Sequence, residues 1–273
     1  VRNMRKQFLS LFMALLIVLA AIPLLGQNPN VGGKAAVGGK AVIGGGTTGG
    51  GNTISHVTGQ SGGWAANTTS QTETAFASNV TSGNSIFVIG EIENTTSLAS
   101  LTCTFPTEKT GSTATLGTPS LDQNYTGTNA GGYHRLCAYS AAVTGTGSLT
   151  FQYPANIGGS TYAVMAQDEF HPSAGSIVID GSPVGNTSTG SVETTGNINS
   201  TGGVVLMHST ESSTGDFSYT SPNGTNIFQG TSGSTTVTGE AQYVISTSGT
   251  YNLSITSGGS WWWVATGVAY KAQ

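Results

Sequence analysis

Apolar residues in this chain come in short bursts with alternating phase, and Gly, Asn, Ser and Pro clusters separate them. The bursts are SIFVIGEIE (85–93), YHRLCAYSAAV (133–143), GSLTFQYP (147–154), STYAVMAQDEF (160–170) and SIVIDG (176–181). GGVVLMHS (202–209), DFSYT (216–220), AQYVIST (241–247), YNLSITS (251–257) and SWWWVATGVAYKA (260–272) continue the series. Each is too short and too β-branched for a helix, and clusters such as TSGN, SPNG and TSGG supply turn chemistry. Strands spaced at roughly 8–15 residues predict an all-β fold, an antiparallel β-sandwich of jelly-roll type over 54–273.

A different pattern precedes this region. Residues 31–48 read VGGKAA, VGGKAV, IGGGTT, three copies of a six-residue unit. An even repeat keeps phase in an extended strand. Val31, Gly33, Ala35, Val37, Gly39, Ala41 and Ile43 share one face, and Lys34 and Lys40 take the other. The phase predicts a strand, residues 31–43, built to enter a sheet, with Val31, Val37 and Ile43 as plugs. Burying each would stabilise by roughly 1.5–3 kcal/mol. A Gly-rich spacer and a strand folded onto its own domain are the competing readings. GGGTTGGGNT (44–53) reads as a flexible tether, so the arm and tether together span 27–53.

Residues 1–26 set the compartment. Arg2, Arg5 and Lys6 precede a nearly unbroken apolar run from Phe8 to Leu25. This reads as a secretory signal cleaved near Gly26–Gln27, with a retained anchor as the alternative. An extracellular or cell-surface location follows, with no membrane contact after cleavage. Charged residues make up only 7% of the chain, against about 25% in ordinary soluble domains. After cleavage, the five basic residues Lys34, Lys40, Lys109, Arg135 and Lys271 face 12 acidic ones, a net charge near −7. Nucleic acid needs a basic footprint that this chain lacks. Cys103 and Cys137, the two cysteines, read as one disulfide in an exported protein.

The chemistry-bearing residues are sparse. The histidines are His56, His134, His171 and His208. In AQDEFHPS, alternation puts Glu169 and His171 on one face and Asp168 and Phe170 on the other, a group read as a solvated strand end. Glu91 and Glu93 alternate with Ile92 and read as the wet face of a strand. No nucleophile, phosphate-loop, metal or calcium pattern appears, so no enzyme, cofactor or metal is expected. Trp261 and Trp263 share a face opposite Trp262. A strand covered on both sides explains them, and a sugar-stacking platform or a subunit contact is the functional alternative. Asn67, Asn79, Asn94, Asn124, Asn186, Asn199, Asn223 and Asn252 each open a glycosylation sequon, several of which a Ser/Thr-rich chain produces by chance.

FASNVTSGNSIFVIGEI, GSLTFQYPANIGGSTYAVMAQDEF and the WWWVATGVAYK ending resemble uncharacterised secreted bacterial β-sandwich proteins, which implies a jelly roll and export. The order of signal, alternating apolar strand, hinge and sandwich resembles strand-donating fibre subunits of the chaperone–usher pilin or TasA-like kind. That resemblance implies a homopolymer in which each arm completes a neighbour's sheet. Head-to-tail contacts of this sort propagate into filaments. A secreted carbohydrate-binding or adhesive module, with glycans as partners, is the alternative expectation.

Overall fold

The structure is a computed structural model that describes residues 51–67, 72–94, 97, 99, 101–128, 132–153, 161–212, 219–220, 223–232 and 237–273. The segments expected as signal, repeat arm and most of the tether lie outside the described residues. So does the bulk of the strand expected at 216–220.

The fold is all-β and antiparallel. The first large sheet contains β1 (Ile54–His56), β2 (Gly62–Asn67), β4 (Ser85–Asn94), β6 (Thr115–Leu116), β7 (Ser120–Thr128), β8 (Tyr133–Gly145) and β10 (Thr161–Pro172). Its spine is β10-β4-β8. β1 and β2 share the outer side of β10, and β6 and β7 share the outer side of β8. A three-stranded sheet, β3 (Thr72–Ala75), β9 (Thr150–Tyr153) and β5 (Thr107–Glu108), is ordered β3-β9-β5. The second large sheet holds β11 (Ile177–Ile179), β12 (Val184–Thr194), β13 (Ile198–Ser212), β14 (Thr225–Ser232), β15 (Val237–Tyr251) and β16 (Ser254–Ala272). Its order is β11-β16-β13-β15-β14, and β12 also pairs with β16.

This winding differs from the expected jelly roll. There, successive strands alternate between two sheets; here the chain passes between the first large sheet and the β3-β9-β5 sheet as far as β10, then builds the second large sheet in one run from β11 to β16. Tyr251 closes β15, and from Ser254 on the bursts at 251–257 and 260–272 run together as one 19-residue strand, β16. Its first residues pair with the end of β12 beyond a bulge between Gly190 and Val192, and its remainder pairs with β13.

Three apolar cores result. Phe87, Ile89, Ala138, Ala166 and Phe170 meet Val204, Leu206, Ala241, Val268 and Tyr270 between the large sheets. Ile86, Val88, Tyr139 and Met165 point the other way, toward Phe76, Phe151 and Tyr153. Val205, Met207, Ala265 and Ala269 pack with Leu253 and Ile255 on the far side of the second sheet. Nearly every residue of β4 is therefore buried on both faces. Gly63 lets the sheets close on one side: a Cβ there would fall 2.3 Å from the Phe228 ring of β14.

Candidate functional site

Three arrangements of polar side chains emerge, and each departs from the sequence reading. The first joins the turn after β1 to β10. His56 Nε2 lies 3.0 Å from Asp168 Oδ1 and 3.1 Å from Ser61 Oγ, while Ser61 donates to Asp168 Oδ2 at 3.0 Å. A Ser–His–Asp relay needs the hydroxyl and the carboxylate on opposite ring nitrogens. Here both crowd one nitrogen, so the trio clamps β1 to β10. His56 also stacks on Tyr243 at 4.7 Å and meets Phe170 edge-on. Burial raises the Asp168 pKa against the pull of His56.

Glu169, expected at a solvated strand end, is fully buried. Its carboxylate accepts from Gln60 Nε2 at 2.8 Å, the Thr81 amide at 2.8 Å and Asn84 Nδ2 at 2.6 Å. Of Asp168, Glu169, Phe170 and His171, only His171 is exposed, and its Nδ1 lies 2.7 Å from Asn84 Oδ1. One carboxylate thus ties two loops to β10. Glu169→Gln keeps the shape but turns an amide toward a donor. We expect it to lower unfolding free energy by roughly 1–2 kcal/mol in urea titration.

The second arrangement lies between the large sheets. Glu91 and Glu93, read as a wet face, are buried, because they continue the inward row of Phe87 and Ile89 along β4. Glu91 pairs with His134 Nδ1 from β8, and His134 leans on Trp262 at 4.5 Å between ring centroids. Burial opposes a charged His134, but the adjoining Glu91 outweighs it and raises the imidazole pKa. Burial, with Glu91 adding to it, pushes Glu93 up to about 8. His208 of β13 is fully buried with neither ring nitrogen bonded, and burial takes its pKa down to about 4.

The third arrangement is on the far side of the second sheet. Glu193, Glu211 and Glu240 come together there from β12, β13 and β15. Ser209 donates to Glu193, and Tyr219 Oη donates to the Thr238 carbonyl at 3.0 Å. Burial raises all three carboxyls, and for Glu193 the charges of Glu211 and Glu240 add to it. Among the described residues, no three His, Cys, Asp or Glu side chains are placed to hold a metal ion.

The other singled-out residues fall as follows. Cys103 and Cys137 form the disulfide. Trp263 is 2% exposed and packs in the third core, while Trp261 and Trp262 are half-buried. A sugar ring needs an open indole face, which Trp263 does not offer. Asn79, Asn124, Asn199, Asn223 and Asn252 are exposed, and Asn186 is half-buried with Nδ2 donating to Thr194. Asn67 ends β2. Asn94 is buried, its Oδ1 accepting from the Ser97 amide at 3.0 Å. The donor-strand residues Val31 to Ile43 lie outside the described residues.

One strand edge is open among the described residues. β14 pairs with β15 only from Val237 to Tyr243. Beyond that point β15 continues to Tyr251 with β13 on one side and, among the described residues, no strand on the other. Ile245, Thr247, Ser248, Gly249 and Thr250 are exposed there. A bare edge offers backbone donors and acceptors. Comparison with known protein families, curated proteins and solved structures finds no match to this chain.

Proposed function

We propose that this protein is an exported structural subunit that assembles head-to-tail into an extracellular filament by donating its N-terminal arm. One observation carries this reading: the first described strand, β1, which directly follows the arm and tether in sequence, lies at the margin of the first large sheet. β1 pairs with the end of β10, and Thr53 extends the pairing, its amide donating to Ser173 Oγ at 2.8 Å and its carbonyl accepting from the Ser173 amide. Thr53 thus joins β1 along a sheet margin, and a strand donated from the residues before it needs such a margin position. The paired chain end supports a fixed exit: Gln273 exchanges backbone hydrogen bonds with Ser176 next to this point.

The in-phase Val31, Val37 and Ile43 add what a spacer would not require, and Lys34 and Lys40 would keep free arms from pairing prematurely. The inward orientation of the Glu and His clusters also suits a load-bearing body better than a catalyst. Electron microscopy of the mature chain with and without residues 27–46 tests the reading. Filaments are expected only when the arm is present. Filaments of the shortened chain, or none from either, would overturn it.

A further inference from the structure

We infer that the acceptor of the arm is the uncovered half of β15, Val244–Thr250, in a second copy of this chain. The inference rests on the filament reading and names the surface it uses. Along these seven residues β13 satisfies one side of the strand, and the other side has no strand partner among the described residues. A donated strand here would lie end to end with β14 and extend the second sheet by the same hydrogen-bonding pattern.

The side chains fit this occupant. Ile245 is 47% exposed, yet its register partner Val204 is fully buried between the sheets. Register partners share a face, so Ile245 points toward the inter-sheet core at a place where cover is missing. Tyr243 and Ile54, both buried, border that place. An apolar side chain arriving beside Ile245 would continue the core. β1 lies close by against β13 and β15, so space beside the edge is narrow. The small Gly33, Ala35, Gly39 and Ala41 between the plugs suit such a space.

The lengths agree as well. Seven strand residues span roughly 23 Å, which matches one six-residue repeat plus the next plug. The arm from Val31 to Ile43 spans roughly 43 Å, about one repeat more than the edge accepts. The surplus is the same whichever copy supplies the arm; the choice of a neighbour's edge rests on the filament reading. Between copies, the surplus lets either Val31 with Val37 or Val37 with Ile43 seat in the same place. The edge is also guarded: Tyr251 Oη accepts from the Thr247 amide at 2.8 Å and donates to its carbonyl at 3.1 Å. An incoming strand must displace that hydroxyl, which blunts the edge against unrelated strands.

Cysteine pairing in the full mature chain tests this. A Val37→Cys chain is mixed with a separate Thr247→Cys chain under mild oxidation, and Val37→Cys mixed with Val192→Cys on the β12 edge serves as the comparison. A disulfide-linked dimer is expected at least ten-fold more abundant in the first mixture. The Val37→Cys, Thr247→Cys double variant should give a ladder of linked oligomers. If the double variant yields only internally linked monomer and the mixture yields no dimer, the arm enters its own sheet and the inference falls. If microscopy shows filaments but neither mixture links, the acceptor is elsewhere while the filament reading stands. If there are neither filaments nor links, both fall.

Discussion

The domain is expected to be most stable near pH 4.5–5 and to lose stability steadily as the pH rises to 8. This is the reverse of what acid-labile salt-bridged proteins do, and it follows from the sign of the shifts. Glu93 has its carboxyl raised from 4.5 to about 8 by burial and by Glu91. Between those two values the unfolded chain has given up the proton while the folded chain still holds it. Stability therefore falls as pH rises across that window, by on the order of 5 kcal/mol for Glu93 alone if the full shift is expressed.

The neighbours push the same way. Burial raises Glu193, Glu211, Glu240 and Asp168, and each adds slope of the same sign above the ordinary carboxyl range. His134 is raised too, so its contribution is full below 6.5 and is lost as pH climbs through the folded value. His208 opposes them: held down to about 4, it loses stability as pH falls from 6.5 to 4. One histidine cannot offset six groups above pH 5, but it places the maximum there rather than lower. Thermal melts from pH 4 to 8.5 check the sign, and a Tm that rises from 5 to 8 would refute it. Glu93→Gln keeps a neutral group of the same shape. It should flatten the curve and make the variant the more stable protein at pH 8.

These carboxyls also show where the sequence could be read and where it could not. Strands rich in Val, Ile and Phe announce themselves, and β4, β8, β10 and β13 fall where SIFVIGEIE, YHRLCAYSAAV, STYAVMAQDEF and GGVVLMHS placed them. β7 (SLDQNYTGT) and β12 (VGNTSTGSVET) give no such signal. They line sheet margins, where neither face needs an apolar row, so alternation carries no contrast. The misjudged Glu91, Glu93 and Glu169 have another cause. Period-two alternation separates two faces of a strand but says nothing about how many layers lie beyond each. Once the β3-β9-β5 sheet and the second large sheet cover both faces of the first, polar positions are buried with the rest. The bare half of β15 was equally hidden, because an edge is defined by the strand that stops short beside it.

Replacing the disulfide, as Cys103→Ala with Cys137→Ala, is expected to lower unfolding free energy by about 4 kcal/mol. The two cysteines are 34 residues apart, and a closed loop of that size removes roughly that much chain entropy from the unfolded state. The native geometry adds a reason for a full effect. Cys137 is completely buried on β8, in the core facing the β3-β9-β5 sheet. Cys103 lies in the 101–106 segment, which has no strand partner among the described residues. Leu101 is buried and Phe105 meets Tyr139 and Phe151 edge-on, so this segment is part of the lid over that core. Without the bridge, apolar contacts alone hold the lid, and it should open before the rest. Urea unfolding of the double variant against the parent measures the loss, and hydrogen exchange shows where it falls. Protection should drop first at 101–106 and β9. A loss under about 1 kcal/mol, or a uniform drop over both large sheets, would mean that the bridge fastens a segment already fixed by Leu101 and Phe105.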